Sequence, residues 1–521
     1  MKNKHWARIR AAAQLVIWIA FIAVIFAGKD TTDNTLLSNL PRLSPFLGIS
    51  ISIATRSIAD VFFPALVFLA LAAILGRFFC GWICPLGATL DCTDKSIAKK
   101  ERISSEKKIS IKSWKYVVLL TAIILSVFGI QVSGIIDPIS LSIRSYGTVI
   151  FSYLDTILKN IFNALYYVPG LNIVSEFIFS FLKDHLLDYN PTQYNNHIPV
   201  FLFFAGLLML SALTRRFWCK ALCPLGAIYS LTGKVAFFKR YVDTGKCTNC
   251  LACEKNCRMD AIHNKGTKTL EGECIKCFDC LKACKFDAVK FKFSLSFRKK
   301  NLEDISDNAE EYPGIQFTRK KLLYSIAGSL VAVPVLKQKP AFAMDYSHLL
   351  RPPGALPEQD FVNACVRCGA CMKVCPTNGL HPVLFECGPD AVFTPQLIPR
   401  LGYCEKNCNQ CSAVCPSGAL KLVPIPEKET TVIGTAYIIR DLCIPWSEFT
   451  DCLVCEEMCP TKKKSIMFRE ENLVNKAGQR VRIKLPYVRE DTCIGCGTCE
   501  NKCPVRGSAA IQVRTTKKTS L

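Results

Sequence analysis

Thirty cysteines stand in this 521-residue chain, and most obey one spacing. Cys365, Cys368, Cys371 and Cys375, followed by Pro376, read C-x2-C-x2-C-x3-C-P, and Cys493, Cys496, Cys499 and Cys503 with Pro504 repeat it. Cys247, Cys250, Cys253 and Cys257, then Cys274, Cys277, Cys280 and Cys284, carry the same run without the proline. Two variants, Cys404, Cys408, Cys411, Cys415 and Cys443, Cys452, Cys455, Cys459, each end in C-x3-C-P. This is the ligand spacing of bacterial [4Fe–4S] ferredoxins, in which three thiolates on a tight loop hold one cluster and the fourth serves its neighbour. Six quartets use 24 cysteines, which predicts six cubane clusters.

Structural zinc favours two separated C-x2-C pairs, not four cysteines within eleven residues. Disulfides suit a three-residue spacing poorly. No quartet lacks a cysteine, so no iron is left open for bond-forming chemistry. The chemistry expected is the relay of single electrons.

Elements that position such clusters follow from hydropathy. Half the residues are apolar and mean hydropathy is +0.23. Four apolar stretches, Ala11 to Ala27, Ala59 to Leu75, Trp114 to Val132 and Ile198 to Leu213, read as membrane spans. Basic residues flank them unevenly. Lys2, Lys4, Arg8 and Arg10 precede the first, and Lys95, Lys99, Lys100, Arg102, Lys107, Lys108, Lys112 and Lys115 fill the loop before the third. The positive-inside rule places these in the cytoplasm and the loop from Ser133 to His197 outside, with Tyr153 to Leu187 as an amphipathic surface helix. The net charge of +23 is thus spent on membrane orientation, which argues against a nucleic-acid partner.

The second and fourth spans end alike. Arg77-Phe78-Phe79-Cys80-x3-Cys84-Pro85-Leu86-Gly87-Ala88 recurs 139 residues later as Arg216-Phe217-Trp218-Cys219-x3-Cys223-Pro224-Leu225-Gly226-Ala227. A duplicated two-helix unit with pseudo-two-fold symmetry is the physical reading. Its four cysteines either form an electron-entry or metal site, or break the helix and pack as small thiols. Cys92 and Cys387 are read as packing thiols. Asp60, Asp137 and His197, at the membrane margins, are candidates for taking protons released in a membrane redox step or are plain interfacial residues.

Thr318-Arg319-Lys320-Lys321-Leu322-Leu323, the apolar run Leu322 to Leu336 and Ala341-Phe342-Ala343 look like a twin-arginine export signal with a peptidase-like site, one arginine being replaced by lysine, the alternative being a buried helix that links two cytoplasmic modules. The expected fold is therefore multi-domain: an α-helical membrane bundle of four spans plus a fifth, export-like segment, with α+β ferredoxin-like [4Fe–4S] domains. Its parts are a membrane domain (1–235), a two-cluster domain of βαββαβ type (236–295), a linker (296–343) and a four-cluster domain (344–521) with strands at Thr430 to Arg440 and Arg480 to Val488.

On these motifs residues 1 to about 290 resemble the NapH family, and residues from about 318 to 515 resemble the NapG and MauM families, joined here in one chain. The resemblance implies a membrane-bound quinol dehydrogenase component in the bacterial inner membrane. It would take electrons from menaquinol or ubiquinol and pass them to a periplasmic partner, a cytochrome or molybdenum reductase, with the four-cluster domain outside. Two alternatives stay open: an accessory protein that activates or matures a partner enzyme, and a relay that does not use quinone. By analogy with ferredoxin-type subunits of the DMSO reductase kind, motifs in the four-cluster domain would pair in nested order. Cys375 would then join Cys493, Cys496 and Cys499, and Cys503 would join Cys365, Cys368 and Cys371. In the two-cluster domain Cys284 joins Cys247, Cys250 and Cys253, and Cys257 joins Cys274, Cys277 and Cys280. Arg258 and Lys285 replace the usual prolines, and their charge is expected to raise the cluster potentials.

Overall fold

A computed structural model describes residues 5–27, 35–97, 111–167, 172–185, 194–294, 318–337, 349–386, 388–474 and 478–515. Lys2, Lys4, the basic run of residues 98–110, residues 341–343 and Cys387 lie outside the described residues. The chain forms two compact units, each drawn from separated segments: residues 1–23, 40–142 and 202–333 make one, and residues 24–39, 143–201 and 334–521 the other.

The first unit holds the repeat and the two-cluster domain. Among the described residues one helix, His5–Phe26, is long and apolar enough to cross a bilayer, while Asp60–Leu75, Trp114–Val127 and His197–Ala212 are shorter. The repeated motif follows two of them directly. Gly76, at φ +81°, stops the helix Phe63–Leu75 before a short second helix, Phe78–Trp82, and Arg216 at φ +51° does the same ahead of Phe217–Ala221. Each short helix then breaks at its Cys-Pro, where proline begins a new helix, Pro85–Ile97 or Pro224–Gly233. A further apolar helix, Pro45–Ala54, is capped by Ser44, whose hydroxyl accepts from Leu47 N at 3.5 Å. Leu66, Val67, Leu71 and Ile74 on Phe63–Leu75 are exposed, as are Leu323, Leu330, Val331 and Val335 on the export-like helix Arg319–Lys337. That last helix buries only small polar positions such as Ser325 and Ser329.

The two-cluster domain runs strand, helix, strand, strand, helix, strand. Phe238–Val242 pairs antiparallel with Val289–Phe293, and Ile262–His263 with Lys268–Thr269. Phe278 meets Phe291 edge-on at 4.8 Å, and together with Phe238 they form the small apolar centre.

In the second unit short helices alternate with hairpins. Ile466–Val474 pairs with Arg480–Val488, and Thr435–Ile438 with the distant Ile511–Arg514. Cysteines make up much of the core, packed among Leu350, Met372, Leu397 and Ile511. Tyr194, from the 143–201 segment, is buried in that same core, and its hydroxyl donates to Met372 O at 3.2 Å. The amphipathic stretch forms two helices, Phe151–Tyr166 and Asn172–His185, whose Phe162 and Phe179 rings lie 5.5 Å apart.

Candidate metal centres

The regular quartets owe their shape to paired left-handed residues. Within the C-x2-C-x2-C loops Asn249 and Leu251, Lys276 and Phe278, Arg367 and Gly369, and Gly495 and Gly497 all have positive φ. Such alternation turns successive amides inward and makes an anion-binding concavity. Its products include Arg367 N donating to Cys365 Sγ at 3.4 Å. Past the loops, Ala261 N donates to Cys257 Sγ at 3.3 Å and Leu420 N to Cys415 Sγ at 3.4 Å.

Three small cavities are walled by four thiols apiece. Cys375 stands with Cys404, Cys408 and Cys411 in one, Cys503 with Cys443, Cys452 and Cys455 in the next, and Cys459 with Cys493, Cys496 and Cys499 in the third. Cys415 completes the fourth set, within electrostatic reach of Cys365, Cys368 and Cys371. The nested pairing is therefore wrong. The first motif exchanges its last cysteine with the second, and the third with the fourth. The physical reason is chain proximity: Ala355 bridges Leu420 and Leu356 N donates to Ala419 O, holding the second motif's exit beside the first motif's entry. In the two-cluster domain Cys257 lies within electrostatic reach of Cys274, Cys277 and Cys280, as that pairing requires. Cys247 lies likewise near Cys253, and Cys284 packs in the same apolar centre as Cys253.

Burial pushes four of these thiols up, Cys404, Cys368 and Cys455 to about 12 and Cys443 to about 11. Buried thiols of this kind stay protonated until a metal displaces the proton. The donor set, the cavities and the inward amides fit [4Fe–4S] clusters.

Charge around the sites was less legible. Arg258 Nε donates to Asp279 at 2.5 Å and its Nη1 lies 2.9 Å from Asp91. Two carboxylates thus offset the charge expected to raise a cluster potential. Asp91 also binds Arg10 at 2.7 Å and Arg216 at 2.7 Å, and these guanidiniums hold its carboxyl well below the usual range against the cost of burial. Glu273, next to Cys274 and buried, takes Arg77 at 2.8 Å, Ser230 at 2.8 Å and the Lys115 ammonium. Nothing in the cysteine pattern marked Glu273; a lone acid beside a ligand is its only signal.

Cys80, Cys84, Cys219 and Cys223 are brought together, buried and within electrostatic reach of one another. Cys92 is exposed and does not pack. Asp60 is exposed at the start of a single 3-10 turn. Asp137 caps the helix Pro138–Ser145, accepting from Ile139 N and Ser140 N at 3.0 Å and from the Ser44 hydroxyl at 2.6 Å. His197 starts its helix with Nδ1 2.6 Å from Tyr194 O.

Folded loops and thiol sets of this kind define a ferredoxin-type iron–sulfur protein. Residues 59–104 and 196–242 match one 4Fe-4S binding domain family, residues 361–381 and 486–506 a second of that description, and residues 274–288 a third. The chain belongs to the family of ferredoxin-type proteins that includes MauM and NapG. It is 39% identical over 171 residues to the methylamine utilization ferredoxin-type protein MauM of Methylorubrum extorquens, covering 32% of this chain and 71% of that one. It is 37% identical over 183 residues to the ferredoxin-type protein NapG of Escherichia coli, covering 34% and 76%. The ferredoxin-type protein NapH of Haemophilus influenzae is 24% identical over 258 residues, covering 48% and 73%. No solved structure matches.

Proposed function

We propose that this chain is the electron-transferring component of a membrane-bound quinol dehydrogenase. It takes electrons from menaquinol or ubiquinol on behalf of a periplasmic reductase. The 24 quartet cysteines hold six [4Fe–4S] clusters, which supply reversible one-electron acceptance when bound.

The observation that carries the reading is which segments each module holds. The two-cluster domain is gripped by residues of the basic, cytoplasm-assigned flanks: Lys112 Nζ donates to Asp260 O at 2.5 Å, Lys115 binds Glu273, and Arg10 Nε reaches Gly81 O at 2.9 Å beside it. The four-cluster domain is gripped by the loop that the same charge pattern assigns outside. Arg144 Nη1 donates to Arg367 O at 2.7 Å, and Asn196 Nδ2 donates to Glu386 at 2.9 Å and Pro382 O at 3.2 Å. Each module is thus held by flanking segments that the charge pattern assigns to one side. Exposed leucines and valines on the apolar helices supply a lipid-facing surface.

The test is anaerobic mixing of purified, cluster-loaded protein with a menaquinol analogue. Bleaching of the visible cluster absorbance on a turnover timescale is expected. Clusters that dithionite reduces but quinol does not would overturn the dehydrogenase reading. Protease added to right-side-out vesicles should cut after about residue 345 and spare residues 230–310; protection of both would remove the periplasmic assignment.

A further inference from the structure

The duplicated Cys-x3-Cys-Pro motif is not absorbed by the six quartets, and its geometry is that of a site. Each repeat sends its arginine into the other. Arg216 Nη1 donates to Cys80 O at 2.9 Å and Nη2 to Gly87 O at 3.0 Å. Arg77 Nη2 donates in return to Cys219 O at 3.2 Å. A Cβ on Gly226 would come within 2.7 Å of Arg77 Nη2, so glycine there makes room for the guanidinium. Both arginines are fully buried, and between them stand four buried thiols. In the second repeat Gly226 N donates to Cys223 Sγ at 3.2 Å, the inward amide seen in the ferredoxin loops.

Among the described residues, two donors at this place lack acceptors. The Tyr229 hydroxyl, on a side chain with no exposed surface, has no hydrogen-bond partner and lies within electrostatic reach of Cys80, Cys84 and Cys223. Trp218 Nε1, beside Cys219, is equally buried and equally unpartnered. Buried donors left unsatisfied cost about 1–3 kcal/mol each, so both positions want an acceptor that protein atoms do not provide.

We propose that Cys80, Cys84, Cys219 and Cys223 together hold one additional iron–sulfur cluster, shared by the two halves of the repeat. Neither half completes it: residues 196–242 contain two cysteines only, although they match a 4Fe-4S binding domain family. Among the described residues no three ligating side chains converge tightly enough for a single ion. The same is true of the ferredoxin quartets, whose thiols surround a cluster-sized space. Sulfides of the cluster would accept from Tyr229 and Trp218.

This inference rests on the iron–sulfur reading but not on quinol, and iron counting separates the two. The full chain is purified anaerobically in detergent, and iron, sulfide and EPR signals are compared between wild type and a Cys80→Ser/Cys219→Ser double variant, with Cys92→Ser as control. The double variant should lose about four irons for a cubane, or about two for a [2Fe–2S] centre, with matching sulfide and unchanged ferredoxin signals. Equal iron in the two proteins overturns the proposal. If the double variant does not fold, Tyr229→Phe decides: an altered EPR signal or midpoint potential supports a cluster against that hydroxyl, and an unaltered set of signals refutes it.

Discussion

Arg144 gives the sharpest test of how the protein sets its potentials. Its side chain is buried in the four-cluster unit, with its guanidinium 4.4 Å from the Phe393 ring centre and bonded to Arg367 O. Its backbone lies against Gly369, where a Cβ would sit 3.5 Å from Arg144 Cα. Cys365 and Cys368 both feel its charge. Burial lowers its pKa to about 9, so it remains a cation at neutral pH. Reduction adds negative charge to the cluster, and a nearby cation favours that state. At about 8 Å and an effective dielectric of about 20, the interaction is worth roughly 2 kcal/mol, on the order of 90 mV for one electron. Arg144→Gln, which keeps a donor for Arg367 O, should lower the potential of the cluster held by Cys365, Cys368, Cys371 and Cys415 by about that amount. Arg144→Lys should recover most of it. An EPR-monitored redox titration of the three proteins reads this directly. A Gln variant with an unshifted or raised potential, or a Lys variant no better than Gln, would refute the electrostatic account.

Three further outcomes follow from the geometry. Cys415→Ser should abolish the cluster of Cys365, Cys368 and Cys371 and leave that of Cys404, Cys408 and Cys411 detectable by EPR; the opposite pattern would undo the pairing described above. Gly81→Ala would put a Cβ 2.2 Å from Ile275 O, forcing backbone apart beside Cys274 and the Trp82 Nε1 bond to Lys276 O; a loss of about 1–3 kcal/mol in detergent unfolding is expected. Burial raises the Asp137 pKa to about 6, so the folded state binds its proton more tightly than the unfolded one. That contribution is present below about pH 4 and lost as pH rises through 6, at most about 1.4 kcal/mol per pH unit. Asp137→Asn, which keeps the cap, should flatten the dependence of Tm on pH over this window without removing quinol-driven reduction.

Cluster loops and the repeat were legible because their information is local. A C-x2-C-x2-C run dictates its own turn, and a Cys-Pro at a helix end dictates its own break. Asp137-Pro138 carried a readable cap signal that its position at a membrane margin obscured. The pairing of motifs was not legible, because it depends on Leu356 meeting Ala419, a contact between residues far apart in the chain. Helix ends inside the apolar stretches were largely readable, except in the third, drawn to Val132 where the helix stops at Val127. Arg144 gave no sign at all. Only folding brings a loop arginine beside a ligand more than two hundred residues further on.

The four-cluster unit is not one stretch of chain. Residues 143–201 supply Tyr194 to its core and Arg144 to its first loop, so the two halves of the polypeptide are joined by a folded interface as well as by a peptide bond. Fusion converts that interface from a bimolecular encounter into an intramolecular one, at an effective concentration on the order of millimolar. It also fixes the stoichiometry of the two halves at one to one, with no coordination of separate genes. A surface that binds in cis needs little affinity of its own. It is free to be polar and small, as the Asn196 contacts with Glu386 and Pro382 are.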